Sequence, residues 1–328
     1  MAESIGLIER AAALLRQREA ADLGSPPAPK PSTPTPAATS APPAPQPAGR
    51  SDTAAAGSGL DLNGAETAAG SGPLLILDRG RLADHGVTVP SSERSRTVEE
   101  FRLVKRNLMA AWSASTGEDQ RESRLIMVTS ARPGEGKTFV SLNLALAFAS
   151  ERDVKALLVD VDTHHSTLRT ILGIPGEAGI VDVVAGDLDL ARVLVRTSYP
   201  NLLVLPAGRG GPHVPELFSS NRMGALLTEL TRRFPDRFII LDTPPCMASS
   251  DAATLAPLVG QIVFVVEAHR TQQDEIEAGL GMLGSCPRIS LLLNKGESAS
   301  AHFGSYGYGY HYPDGEGDEL RSDAPAPA

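Results

Sequence analysis

Residues 125–149 read LIMVTSARPGEGKTFVSLNLALAFA, and three textures follow one another within them. Leu125 to Thr129 is apolar at nearly every position, the pattern of a strand covered on both faces. Ala131-Arg132-Pro133-Gly134-Glu135-Gly136-Lys137-Thr138 then puts small residues where a chain must curl tightly, and ends on a lysine and a hydroxyl. FVSLNLALAFA continues as a helix. A buried strand, a glycine turn and a helix in this order make a phosphate cradle, because the turn and the helix start aim backbone N–H groups at one point. Lys137 is placed to reach the β and γ phosphates of ATP, and Thr138 offers its hydroxyl to Mg²⁺. A chain of this length matches such a pattern by chance in roughly a few per cent of cases, judged from average composition. Its setting between strand and helix lowers that further. Arg132 to Phe139 is therefore the candidate ATP-binding segment.

Outward from this stretch the same rhythm repeats. ALLVD (156–160), LLVLP (202–206), FIILD (238–242), IVFVV (262–266) and ISLLLN (289–294) are further short apolar runs, alternating with helical stretches. One such run is ambiguous between strand and buried helix; six in alternation are not. The expected fold is a three-layer α/β P-loop NTPase domain with a mostly parallel central sheet. Two of the runs end on carboxylates, at the strand ends where ligands of open α/β sheets gather. Asp160 and Asp162 close ALLVDVD, and Asp242 precedes Thr243-Pro244-Pro245. A lone aspartate there is more often a loop cap. Beside a phosphate loop, one carboxylate helps to hold Mg²⁺ and a second orients or deprotonates the attacking hydroxyl. The expected catalytic set is Lys137, Asp160, Asp162 and Asp242. The expected metal set is Thr138 with Asp160 and Asp242, directly or through water.

The two ends of the chain differ from this middle. Ile5, Ile8, Ala12 and Leu15 share one face of a short amphipathic helix, placed within residues 1–20. Residues 21–72 are rich in Pro, Ala and Ser, have almost no large apolar side chains between Ser25 and Arg50, and are expected to be a disordered linker. The α/β domain is expected over 73–297 and a flexible acidic tail over 298–328. Within the domain, Thr97-Val98-Glu99-Glu100 has the form of a capping box for a helix running to about Trp112. Val98, Phe101, Val104, Leu108 and Trp112 fall on its apolar face, with Glu99, Arg102 and Arg106 opposite. The net charge of −9 argues against a general nucleic-acid binder. Cys246 and Cys286, without metal-ligand spacing, point to neither a disulfide framework nor a zinc site and suit a reducing cytosol. No apolar run is long enough to span a bilayer.

Together these residues resemble one family. SARPGEGKT, LLVDVD and IILDTPP, in that order, are similar to the Walker A, A′ and B set of the bacterial tyrosine kinases. EEFRLVKRNL resembles that family's helix of subunit contact, which places Glu99, Arg102 and Lys105 at an oligomer interface. VGQIVFVVEAHRT, LIERAA near the N-terminus and a Gly/Tyr tail look closest to the exosortase-associated tyrosine autokinases of exopolysaccharide loci. The Walker set alone also fits septum-positioning and chromosome-partitioning ATPases; the tyrosine tail separates them. Where the family carries a basic-rich loop after the second aspartate, this chain has Thr163-His164-His165-Ser166, expected to be solvated rather than metal-binding. Arg132 stands where the partitioning ATPases have a lysine that reaches a neighbour's nucleotide, and the residues leave open whether an arginine does so.

Tyr306, Tyr308, Tyr310 and Tyr312 lie within seven residues of a chain that has only five tyrosines. Alternation would also suit an edge strand, but glycine spacers and the acidic followers Asp314, Glu316, Asp318 and Glu319 argue for an extended phosphoacceptor tail. About a dozen residues separate Asn294 from Tyr306 and reach at most roughly 40 Å, so the tail's own site and a neighbour's are both within reach. The resemblance implies ATP and Mg²⁺ as cofactors and transfer to the tail of a neighbour in a homo-oligomer. It further implies control of exopolysaccharide synthesis or export, a membrane chain-length regulator as activator and a tyrosine phosphatase as partner. The protein would then be cytoplasmic, drawn to the inner membrane through that regulator. Hydrolysis by water, without tyrosine transfer, is the alternative reaction for the same fold.

Overall fold

The computed structural model describes residues 74–89, 95–165 and 167–296. The compact unit that ends at Lys295 holds all the secondary structure among them, and Gly296 starts a second unit. The expected N-terminal helix, the linker up to residue 72 and the tyrosine tail over 298–328 lie outside the described residues.

All six apolar runs are strands: β2 (Leu125–Ser130), β3 (Lys155–Asp160), β5 (Leu202–Leu205), β6 (Arg237–Asp242), β7 (Gln261–Glu267) and β8 (Ile289–Asn294). Two pieces too short for any periodic pattern join them, β1 (Leu74–Leu75) and β4 (Val195–Thr197). The sheet order is β1-β4-β5-β3-β6-β2-β7-β8, parallel throughout except where β4 meets β5. Alternation splits each central strand between two cores. Leu125, Met127, Leu157, Val159, Ile239, Leu241, Ile262 and Phe264 face one layer of helices, while Ile126, Val128, Ala156, Leu158, Phe238, Ile240, Val263 and Val265 face the other. Since both faces are covered, neither set can be polar, which is why the runs are apolar at successive positions.

The helix after the glycine turn, α4 (Lys137–Ala149), is the most deeply set. Val140 and Leu142 to Ala149 are buried all round its circumference. Against it lies α2 (Arg96–Ser113), following α1 (Arg79–Asp84) and preceding α3 (Gly117–Glu122). Phe101 of α2 meets Phe139 in the first turn of α4 edge-on at 5.8 Å, and Trp112 meets Phe238 of the sheet at 5.5 Å. Each buried aromatic or aliphatic side chain contributes about 1.5–3 kcal/mol, so the turn that carries Lys137 is fixed from outside the motif.

The helix start differs from expectation. α2 begins at Arg96, with Ser95 at the capping position and no side-chain cap. Glu100, which the capping box needed, instead pairs with Arg96 at 2.7 Å. Val98, Phe101 and Leu108 are buried as expected; Lys105 is buried with them.

Candidate active site

β6 lies between β2 and β3, so the carboxyl ends of three adjacent strands bring the three motifs together. In the register of β3 and β6, Asp160 stands directly opposite Asp242. The two are 2% and 1% exposed. Asp242 accepts a hydrogen bond from Ser141 Oγ at 3.0 Å and another from the Thr138 side chain. Burial pushes the Asp242 carboxyl up to about 6, against the opposing pull of Thr138, Lys137 and Ser141. Burial, followed by the charges of Asp242 and Asp162, holds the Asp160 carboxyl well above the usual carboxylate range. Two buried carboxylates side by side with a hydroxyl and an ammonium form an arrangement that a cation would relieve.

Asp162 sits just outside this pair. Its carboxylate accepts the backbone N–H groups of His164 and His165, both at 3.2 Å, so it also shapes the turn that follows. Asp160 in turn accepts the Asp162 N–H at 3.1 Å. His164 and His165 are exposed, as expected. Among the described residues no group of three or more His, Cys, Asp or Glu side chains is assembled for a metal. Two carboxylates and a hydroxyl nevertheless suit Mg²⁺, a hard ion that keeps water and substrate phosphate in most of its positions. Thr138, Asp242 and Asp160 are the residues that would hold it.

The phosphate loop owes its shape to two glycines, with φ of 86° at Gly134 and 97° at Gly136. The left-handed conformation at Gly136 calls for glycine, and a Cβ there would lie 2.1 Å from Asn294 Nδ2 and displace that side chain. Val140 N makes the first helical bond, to the Gly136 carbonyl at 2.9 Å. The N–H groups of Lys137, Thr138 and Phe139 are thus left for a ligand, as at any helix start. The Phe139 ring packs on Phe101, which leaves its backbone as the group it can offer. Arg132 does not hang free: its Nε lies 2.6 Å from Glu275 Oε1, on the helix Gln273–Met282.

Not all the expected site residues come together. Glu99 and Arg102 are paired and exposed on α2, whereas Lys105, one turn further on, turns inward. The Lys105 side chain is 7% exposed, donates to the Ala147 carbonyl at 3.3 Å and pairs with Glu151. It holds α2 to the end of α4. The structure also adds residues that the motifs did not single out. Ser141, one of two polar residues in the otherwise apolar stretch from Phe139 to Ala149, is legible as an anomaly. Thr271, Asn294 and Lys295 carried no local signal, because their partners in the phosphate loop lie more than a hundred residues away in sequence.

A glycine-rich loop between the first long parallel strand and its helix, with aspartates at two neighbouring strand ends, defines a P-loop nucleotide-binding domain. Residues 123–268 match the family described as an AAA domain. The resemblance to the bacterial tyrosine kinases is borne out. The tyrosine-protein kinase CpsD of Streptococcus agalactiae is 28% identical over 218 residues, covering 66% of this chain and 90% of that protein. Among solved structures, the chimerical protein CapA2B2 aligns with a TM-score of 0.55 at 27% identity, over 70% of this chain and 97% of its own. The kinase domain of the Escherichia coli tyrosine kinase ETK aligns with a TM-score of 0.52 at 25% identity, over 70% and 98%. Among the described residues no helix is long and apolar enough to cross a membrane.

Proposed function

We propose that this chain is an ATP-dependent protein-tyrosine kinase whose acceptors are Tyr306, Tyr308, Tyr310 and Tyr312 of a neighbouring copy. The observation that carries the phosphoryl-transfer site is the placement of Asp242, opposite Asp160 in register and hydrogen-bonded by Ser141 of the helix that bears Lys137 and Thr138. The kinase names of the relatives support tyrosine as the acceptor.

In this reading the loop amides and Lys137 hold the β and γ phosphates. Mg²⁺, when bound with ATP, offsets the charge of the phosphate oxygens. Asp160 or Asp162 orients the tyrosine hydroxyl and takes its proton. The phenolic oxygen forms a bond to the γ phosphorus as the bond from that phosphorus to the bridging oxygen breaks, giving phosphotyrosine and ADP. Phosphate beside Asp314, Glu316, Asp318 and Glu319 builds like-charge repulsion that drives the modified tail out and loosens the assembly. Glu99 and Arg102 supply subunit contact from the exposed side of α2. The likeness to the exosortase-associated autokinases extends the reading to control of exopolysaccharide export, with a membrane chain-length regulator as activator, a phosphatase to reset the tail and a cytoplasmic location at the inner membrane. The described residues form the catalytic domain of an arrangement in which residues 1–20 dock and 21–72 tether.

Incubating the pure chain with labelled ATP and Mg²⁺ and mapping the label by mass spectrometry tests this. Label on the four tyrosines is expected. Phosphate release with no phosphotyrosine would replace the kinase by an ATPase switch of the positioning type.

A further inference from the structure

The phosphate loop is gripped from outside by the end of the last strand. Asn294 Nδ2 donates to the Glu135 carbonyl at 2.8 Å, and Lys295 Nζ donates to the Gly134 carbonyl at 2.7 Å. These are the carbonyls of two successive peptide groups. A trans peptide points its N–H opposite to its C=O. Drawing the two carbonyls toward β8 therefore aims the N–H groups of Glu135 and Gly136 the other way, into the loop.

Other contacts make this grip firm. The Glu135 side chain is buried, accepting the Arg132 N–H on Oε2 at 2.7 Å and the Thr271 hydroxyl on Oε1. Lys295 Nζ also lies 3.2 Å from Glu267 Oε1, and Glu267 holds Arg270 at 3.1 Å. Lys295 has a φ of 55°. A residue with a side chain keeps such a conformation only where its surroundings hold it, and such residues gather at functional sites.

We propose that Asn294 and Lys295 are positioning residues for phosphate binding, which set the two peptide planes of the Gly134–Gly136 turn so that its amides face the ligand. The proposal rests on reading this loop as the ATP site. It makes a distinctive demand: their contribution belongs to the phosphates, whatever base the nucleotide carries.

The test uses the full chain and two probes, Mg²⁺ with ATP and Mg²⁺ with inorganic triphosphate, titrated calorimetrically. In the double variant Asn294→Ala with Lys295→Met, both ligands should bind about tenfold more weakly, the loss expected for two hydrogen bonds that each orient a loop amide. Melting of the free protein reports whether the fold survives. Should the double variant misfold, Lys295→Met alone, at a half-exposed side chain, should still weaken both ligands, and Lys295→Arg should restore them by keeping a donor for Gly134. Weakened ATP binding with undiminished triphosphate binding would assign the pair to the base and overturn the proposal, as would undiminished binding of both. A parent chain that binds neither probe would overturn the phosphate-site reading itself, and the positioning role with it.

Discussion

Lys137 and Asp242 stand together at the phosphate loop, and removal of either should abolish transfer while only the loss of the carboxylate changes stability. Lys137→Met removes the ammonium that clamps the transferring phosphoryl oxygens, a type of contact worth several kcal/mol in the transition state. Phosphotyrosine, followed by antibody or mass spectrometry, should fall by at least about a hundredfold while the circular dichroism spectrum stays that of the parent. Asp242→Asn should also abolish transfer, yet stabilise the metal-free protein at neutral pH. Burial pushes the folded carboxyl up to about 6, from 3.8 for the free side chain, so between these values the folded state binds more protons than the unfolded one. Stability then falls as pH rises through that window and stays at its lower value above it. The gain in the variant should reach about 1–3 kcal/mol near pH 7.5 in a chelating buffer and disappear near pH 4. Equal melting temperatures of parent and variant at pH 7.5 would show that burial does not raise this carboxyl.

At the scale of elements, the placement of α4 depends on a lysine that the family resemblance assigned to a subunit interface. Lys105 reaches from α2 to the Ala147 carbonyl and Glu151, at the far end of the helix whose first turn bears Lys137. Its side chain is almost fully enclosed while Glu151 is 45% exposed, so the charge is only partly removed from water. Lys105→Ala should cost about 1–3 kcal/mol by urea unfolding, through the lost packing of its stem and the unpaired carbonyl. Glu99→Ala with Arg102→Ala touches only an exposed pair, which is worth at most about 1 kcal/mol. That double variant should melt like the parent but assemble into smaller particles by light scattering. Unchanged particle size would reduce this face of α2 to a solvated surface.

For the whole molecule, the decisive question is whether a tail serves its own site or another's. A Lys137→Met chain with its tyrosines intact should become phosphorylated when mixed with an active chain bearing Phe at 306, 308, 310 and 312. The rate per molecule should rise with protein concentration, since an encounter precedes the chemistry. A mixture without phosphotyrosine, with each control behaving, would confine transfer to a single chain and leave the kinase chemistry standing.

Much of this molecule was legible along the chain. The six long strands, their burial on both faces and the order strand, glycine loop, helix are local facts: a buried parallel strand must be apolar at successive positions, and a phosphate loop must be small and flexible where it curls. The carboxylates at 160 and 242 were legible for the same reason, each standing at the end of its own apolar run. Tertiary structure decided what depends on pairing between distant segments. Strand order and register set Asp160 against Asp242, and only then does burial raise both carboxyls, with the charge of Asp242 adding to the rise at Asp160. Helix packing turned Lys105 inward, because a long aliphatic stem can lie on an apolar face when its charge finds a carbonyl and a carboxylate there. Asn294 and Lys295 meet the phosphate loop across some 160 residues, a contact with no periodicity and no motif, and it exists only because β8 ends where that loop begins its turn.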